Sequence, residues 1–179
     1  MLEVEVKIKT DLDAIERKLI EMGFVRGTTA YEYDTYYNGK LVDLKTADKA
    51  LRIRLHKDVD TGRVKYVLNF KGPKLDDTTM TREETQFEVP SMEAGETVIN
   101  GLGYFAAGNV EKTRIHYKSG DITCCLDSVT GLGDFLEIEI MAGEADYDGA
   151  VAKIEKLLDE LGVSMADTVR ESYLCMLGI

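Results

Sequence analysis

Three cysteines, two prolines, no long apolar run and a shortage of positive charge mark this 179-residue chain. Cys124 and Cys125 are adjacent and Cys175 lies far away. An odd count without CxxC spacing argues against a disulfide framework and against a zinc site. No stretch approaches the ~20 apolar residues needed to span a bilayer, so no membrane partner is expected. The first residues lack a basic segment followed by an apolar one, so no secretory signal is expected, and a cytoplasmic location follows. Lysine and arginine total 22 against 33 aspartate and glutamate, for a formal net charge of −11. That balance excludes a broad basic surface for nucleic acid. It leaves room for a small anionic ligand held in a locally basic pocket.

What is present is ample apolar and charged material: 44% hydrophobic and 31% charged residues. With no internal repeat, linker or low-complexity segment, the chain reads as one soluble domain over 1–179. The opening LEVEVKIK alternates apolar and charged residues, which predicts a β-strand. TDLDAIERKLIEMGF follows with a helical stripe of Leu12, Ile15, Leu19 and Met22, a capping-box-like start at Thr10 and Asp13, and Gly23 as a stop. Further strands are predicted over 31–39, ending at a turn at Asn38-Gly39, then over 51–57, 63–73 and 82–89. A helix is expected over 91–104, a hairpin over 111–129 turning at Ser119-Gly120-Asp121, and a last strand over 134–141. Helices over 147–161 and 169–177 complete the chain. About eight strands with short polar turns and a few helices imply an α+β class with a meandering antiparallel sheet or barrel.

The strands concentrate charge on one face. Its basic members are Lys7, Lys9, Arg52, Arg54, Lys65, Lys71, Arg82, Lys112 and Arg114; its acidic members are Glu3, Glu5, Glu84, Glu88, Asp127, Glu137 and Glu139. This set is net positive in a chain that is net negative. On any single strand, mixed charges suit an ordinary solvated face with cross-strand pairs. Two Glu-x-Glu pairs, Arg-x-Arg and Lys-x-Arg together suit a closed lumen better. Guanidinium and ammonium groups match phosphate oxygens. Glu-x-Glu sets two carboxylates ~7 Å apart on one side of a strand, where they can share hard cations such as Mg²⁺ or Mn²⁺.

In their order, these motifs resemble the CYTH superfamily, the triphosphate tunnel metalloenzymes. The resemblance rests on Glu3-Glu5-Lys7, LRIR at 51–54, KGP at 71–73, EKTR at 111–114 and LDSVTGLGDFLEIE at 126–139. DTYY at 34–37 and RESY at 170–173 add to it, so it covers essentially the whole chain. It implies an eight-stranded antiparallel β-barrel or tunnel with helices outside, and divalent-metal-dependent chemistry on triphosphates. The GLGDFLEIE stretch is most similar to class IV adenylyl cyclases, which convert ATP to 3′,5′-cyclic AMP and pyrophosphate. The resemblance gives Lys7, Arg52, Arg54, Lys71, Lys112 and Arg114 to the phosphates. It gives Glu3, Glu5, Asp127, Glu137 and Glu139 to Mg²⁺ or Mn²⁺, with Glu5, Lys7 and Arg114 at the reacting centre, and it suggests a homodimer. Hydrolysis of inorganic triphosphate, thiamine triphosphate or a nucleoside triphosphate is the alternative reaction. A non-catalytic polyphosphate-binding module is a third reading, against which both intact Glu-x-Glu pairs count. Gln86 departs from the pattern, standing where many relatives carry a glutamate.

Weaker signals favour plain structural roles. GYFAAGN at 103–109 has P-loop spacing but Asn109 in place of lysine, and reads as a helix-ending turn. His56 and His116 read as hydrogen-bonded strand histidines, and Cys125, beside Asp127, carries no mark of a nucleophile. The tyrosines of YEYDTYY read as packing, and Arg170 as an ion pair at the surface or a reach into the lumen.

Overall fold

The computed structural model describes residues 2–179. Eight strands are present: β1 (Leu2–Lys9), β2 (Val25–Gly39), β3 (Ala50–Asp58), β4 (Val64–Lys71), β5 (Arg82–Val89), β6 (Tyr104–Ser119), β7 (Ile122–Val129) and β8 (Gly133–Ala142). They close into an antiparallel barrel in the order β1-β5-β4-β3-β2-β6-β7-β8. The β1–β8 ladder is complete, from Leu2 opposite Ala142 to Lys9 opposite Phe135. The β1–β5 seam is short, with Leu2 opposite Glu83 and Glu3 opposite Arg82. Met80 N extends it by donating to Glu5 O at 2.8 Å.

Four helices lie outside: α1 (Leu12–Glu21), α2 (Met92–Gly101), α3 (Tyr147–Leu161) and α4 (Tyr173–Met176). The apolar stripes of α1, α2 and α3 cover the outward faces of the strands, while α4 closes one end of the barrel, with Tyr173 packed on Val110, Val129 and Phe135. Val4, Val6 and Ile8 of β1 pack with Ile15 and Leu19 of α1 and with Ile154, Leu157, Leu158 and Leu161 of α3. β1 is therefore buried on both sides, since Glu5 is 6% and Lys7 3% exposed on the inner one. The solvated-face reading of this strand is thereby excluded.

Several boundaries differ from expectation, each for a tertiary reason. β2 starts at Val25 and β6 at Tyr104, because the two pair along nearly their whole length, from Val25 opposite Lys118 to Gly39 opposite Tyr104. Arg26-Gly27-Thr28-Thr29 has no apolar alternation to announce a strand; its partner imposes the conformation. GYFAAGN is accordingly a turn at Gly103, with φ +89°, followed by strand. The first helix is capped by Asp11, whose Oδ1 accepts from Ala14 N at 3.2 Å, in place of a Thr10–Asp13 box. Only Tyr173–Met176 of the expected C-terminal helix is helical. Upstream, Thr168 bridges to Ile8 and Val169 N donates to Lys7 O at 2.7 Å, which carries the chain to the barrel end.

Helix α2 sits against β3 at Gly95, where an added Cβ would stand 2.6 Å from Ile53 Cδ1. Gly95→Val overpacks this contact. It should cost ~1–3 kcal/mol, the usual scale of overpacking, read as a lower urea midpoint at unchanged m-value.

Candidate functional site: a charged lumen

The inner faces of the strands enclose a cavity of about 740 Å³. Twelve lysine and arginine side chains line it against eight aspartates and glutamates, so the lumen is locally cationic in an acidic protein. Toward its centre the charges are withdrawn from water and matched to opposite ones. Lys71 Nζ, rising from β4, is 2.5 Å from Glu3 Oε2, 2.8 Å from Glu84 Oε2 and 3.6 Å from Glu5 Oε2. Lys7 Nζ is 3.2 Å from Glu137 Oε1 and lies 4.2 Å from the Tyr173 ring centroid. Lys112 Nζ is 2.7 Å from Asp127 Oδ2.

Three of the lumenal arginines differ in how they are held. Arg54 engages Asp34 with its Nε and Nη2 fork at 2.6 and 2.7 Å, and Glu32 with Nη1 at 2.9 Å. Arg114 engages Asp127 in the same forked way at 2.6 Å each, and Nη2 also contacts Glu137. Arg52 instead directs Nη1 at Asp34 (3.2 Å) and the Tyr36 hydroxyl (3.1 Å), and its buried Nε has no hydrogen-bond partner among the described residues. Arg52 lines the cavity with donor capacity that the protein itself does not use, which suits a phosphate.

The carboxylates divide by environment. Glu5 and Glu139 stand directly opposite each other on β1 and β8, a like-charge juxtaposition that is destabilising unless a cation or proton intervenes. Burial raises the Glu139 carboxyl above its ordinary value, and Glu137 and Glu5 add to this against the opposing Arg114. Burial pushes Glu3 up to about 8, further aided by Glu84 and Glu5 and opposed by Lys71. Glu137 goes the other way: burial is outweighed by Arg114, Lys7 and Lys112, which hold it well below the usual range.

Most residues singled out in the sequence meet here: Glu3, Glu5, Lys7, Arg52, Arg54, Lys71, Lys112, Arg114, Glu137 and Glu139 all line the cavity. Asp127 lies behind the wall at 0% exposure, accepting from Lys112, Arg114 and the Tyr173 hydroxyl. Lys9 and Glu88 do not line the lumen; Lys9 is exposed and donates to Leu132 O at 2.9 Å. His56, His116, Gln86 and Arg170 do line it, and Arg170 also donates to Asp76 O at 2.7 Å. Cys125 is buried, with Sγ 3.7 Å from Glu139 Oε1. Sequence reasoning missed Glu32 and Asp34, both 2% exposed, and Asn69, 1% exposed. Their signal was period two: Glu32, Asp34 and Tyr36 share one face of YEYDTYY, and Lys65, Asn69 and Lys71 share one face of β4.

Among the described residues, no group of three His, Cys, Asp or Glu side chains forms a ready-made metal cage. The donor set still fits a hard cation. Mg²⁺ is commonly held by one or two carboxylates together with substrate phosphate oxygens, not by an all-protein cage. The opposed Glu5 and Glu139 supply such a half-site.

A barrel closed around paired charges, with its helices outside, defines a tunnel-type protein. The CYTH domain family matches residues 1–173, and the chain belongs to that family. It is 33% identical to the Methanocaldococcus jannaschii protein named "Putative adenylate cyclase MJ0240", over the full length of both. It is similar to the solved PH1819 protein of Pyrococcus horikoshii, with 35% identity, a TM-score of 0.88 and coverage of 98% of this chain and 97% of that one. A Hippeastrum protein reported to have a dominant triphosphatase activity shares the fold at 18% identity, with a TM-score of 0.66 and coverage of 99% and 94%.

The raised Glu3 carboxyl has a pH consequence. Its folded-state value lies above the unfolded one, so between about pH 4.5 and 8 the folded protein binds the extra proton and loses relative stability as pH rises. Glu3→Gln removes that loss. In the metal-free protein, the melting temperature of Glu3→Gln minus that of wild type should increase steadily from pH 5 to pH 8. A flat difference would show that Glu3 ionises normally.

Proposed function

We propose that this protein is a divalent-metal-dependent enzyme acting on triphosphates, and that its reaction is the cyclisation of ATP to 3′,5′-cyclic AMP and pyrophosphate. The observation that carries the reading is the Glu5–Glu139 pair, two opposed carboxylates in a cavity lined by more cationic than anionic side chains. A metal–triphosphate complex presents both signs of charge and so complements a lumen that carries both. The full-length similarity to the Methanocaldococcus jannaschii protein supports the cyclase reaction.

In this reading Arg52 grips phosphate oxygens with its unused donor capacity, and Lys7, Lys71 and Lys112 add ammonium contacts. Arg54 and Arg114 add positive potential from fixed positions. Glu3, Glu5, Glu137 and Glu139 would hold Mg²⁺ or Mn²⁺. When bound, that ion neutralises phosphate charge and makes the attacking hydroxyl more acidic. Asp127, with its oxygens engaged by Arg114, Lys112 and Tyr173, orients those cations. The ribose 3′ oxygen bonds to the α-phosphorus, the bond from that phosphorus to the bridging oxygen breaks with its electron pair going to pyrophosphate, and the hydroxyl proton leaves with the pyrophosphate. Lys7 and Lys112 stabilise the charge that develops on the leaving pyrophosphate.

Hydrolysis is the second reading. It is favoured by the lysine and arginine side chains that line the cavity: they suit phosphate oxygens, so a substrate without a nucleoside can use the same lumen. Incubation with Mg²⁺ or Mn²⁺ and either ATP or inorganic triphosphate, followed by identification of products, separates the two. Cyclic AMP and pyrophosphate from ATP confirm the cyclase; orthophosphate release alone replaces it with a triphosphatase. EDTA should abolish either activity. Glu139→Gln should lower turnover by at least ~10²-fold, on the scale of losing a preorganised electrostatic group, while the fold persists.

A further inference from the structure

Asn69 sits in the middle of the lumen wall and has no part in the reading above. Across the barrel it belongs to a rung of inward-facing positions: Arg52 on β3 is opposite Asn69 on β4, which is opposite Gln86 on β5. Its amide orientation is fixed by its neighbour. Nδ2 donates to Glu84 Oε1, and an ionised carboxylate only accepts, so the amide oxygen is the atom turned away from Glu84. That oxygen, Oδ1, is buried and has no hydrogen-bond partner among the described residues, while the residue is 1% exposed and lines the cavity.

Two other buried carboxylate oxygens also lack hydrogen bonds, but both have close cations: Glu32 Oε2 is 2.9 Å from Arg54 and Glu84 Oε2 is 2.8 Å from Lys71. No ion pair brings a cation to Asn69, and the Arg52 pair with Asp34 runs through Nη1 at 3.2 Å, which leaves Nε without a hydrogen bond. The lumen wall therefore carries an acceptor and a donor that both lack hydrogen bonds, on residues opposite each other in register on adjacent strands. Leaving a buried polar atom unmade is costly, so the pair asks for a ligand group.

The two atoms need different partners. Arg52 Nε donates and suits a phosphate oxygen. Asn69 Oδ1 accepts, and a phosphate oxygen beside it would be one acceptor facing another. A hydroxyl satisfies it: the O–H donates to Oδ1, and a lone pair of the same oxygen stays free. With phosphate held at Arg52, the free lone pair belongs to an oxygen next to phosphorus.

We propose that Asn69 orients the attacking hydroxyl, a ribose hydroxyl in cyclisation or a water in hydrolysis, against the phosphorus held at Arg52. The proposal rests on the triphosphate reading and serves either reaction. The amide takes no proton. The hydroxyl oxygen bonds to phosphorus, the bridging P–O bond breaks with its electron pair going to the leaving phosphate group, and the hydroxyl proton ends on that group. Asn69 contributes alignment, the kind of effect that a misplacement of about 1 Å can erase by ~10²-fold.

The test uses wild type, Asn69→Leu and the smaller Asn69→Ala, so that one variant remains if the other does not fold. Three quantities are measured: turnover with Mg²⁺ and ATP or inorganic triphosphate, the dissociation constant of a non-hydrolysable ATP analogue, and the melting-temperature shift caused by Mg²⁺ alone. An alignment role predicts turnover lower by about 10²-fold, analogue affinity within about threefold of wild type and an unchanged Mg²⁺ shift. Turnover close to wild type overturns it. An analogue affinity that falls as far as turnover makes Asn69 a ground-state contact and also overturns it. Loss of the Mg²⁺ shift makes Oδ1 a cation ligand and likewise overturns the alignment role. A wild-type protein that binds the analogue yet forms neither product removes the reaction itself, and the attacking hydroxyl with it. Active wild type beside equally active variants rejects Asn69 alone.

Discussion

The structure depends on one electrostatic constraint: charges turned into a closed barrel must be neutralised there. Glu5, Lys7, Glu32, Asp34, Lys112, Arg114, Asp127 and Glu137 are each less than a tenth exposed. An isolated buried ion costs several kcal/mol, so none of these positions is tolerable alone. Cross-strand register supplies the partners. Lys7 falls opposite Glu137, Arg54 opposite Asp34, Arg114 opposite Asp127 and Lys112 opposite Glu32. A shift by one residue on any of these strands would turn its charges outward and its apolar residues inward, breaking several pairs at once. Pair formation and register are thus one requirement, and it is met in the sequence by strict alternation.

Because the interior of the barrel is committed to charge, the apolar core must lie outside it. Val4, Val6, Ile8, Leu136 and Ile138 point away from the lumen into a layer completed by α1 and α3. The helices are therefore what makes the outward faces of β1, β7 and β8 viable. Stability comes from this outer layer, since hydrophobic burial is favourable per unit area while paired buried ions are near neutral at best. The lumen is left free to be shaped by ligand binding.

Much of this architecture is legible in the motifs. Alternation in EVEVK and LRIRLHK sets faces as well as strands, and the ordered motif set points to the fold. What stayed hidden was either nonlocal or neutral. Arg26-Gly27-Thr28-Thr29 becomes strand only because β6 lies beside it. Glu32 and Asp34 were masked by tyrosines on both faces of YEYDTYY, so their shared direction drew no attention. Asn69 carries no charge, and a count of charged faces passes over it. That Asp127 lies behind the wall, and not on it, depends on side-chain reach and on Tyr173 arriving from the far end of the chain.

The ion pairs also differ in how easily they can be exchanged for ligand contacts. Asp34 and Asp127 each receive a two-bond guanidinium fork, a planar arrangement that loses both bonds if either group turns. Those pairs act as framework. Lys7 and Lys71 are point charges on flexible stems, touching carboxylates through a single nitrogen that can form new contacts as old ones lengthen. Arg52 lies between the two kinds, anchored through Nη1 while its Nε makes no hydrogen bond. A ligand carrying phosphate and cation together can therefore substitute for the lysine–carboxylate contacts one by one without disturbing the forked pairs. The same closed barrel is rigid where the arginines are fixed and adaptable where the lysines are held.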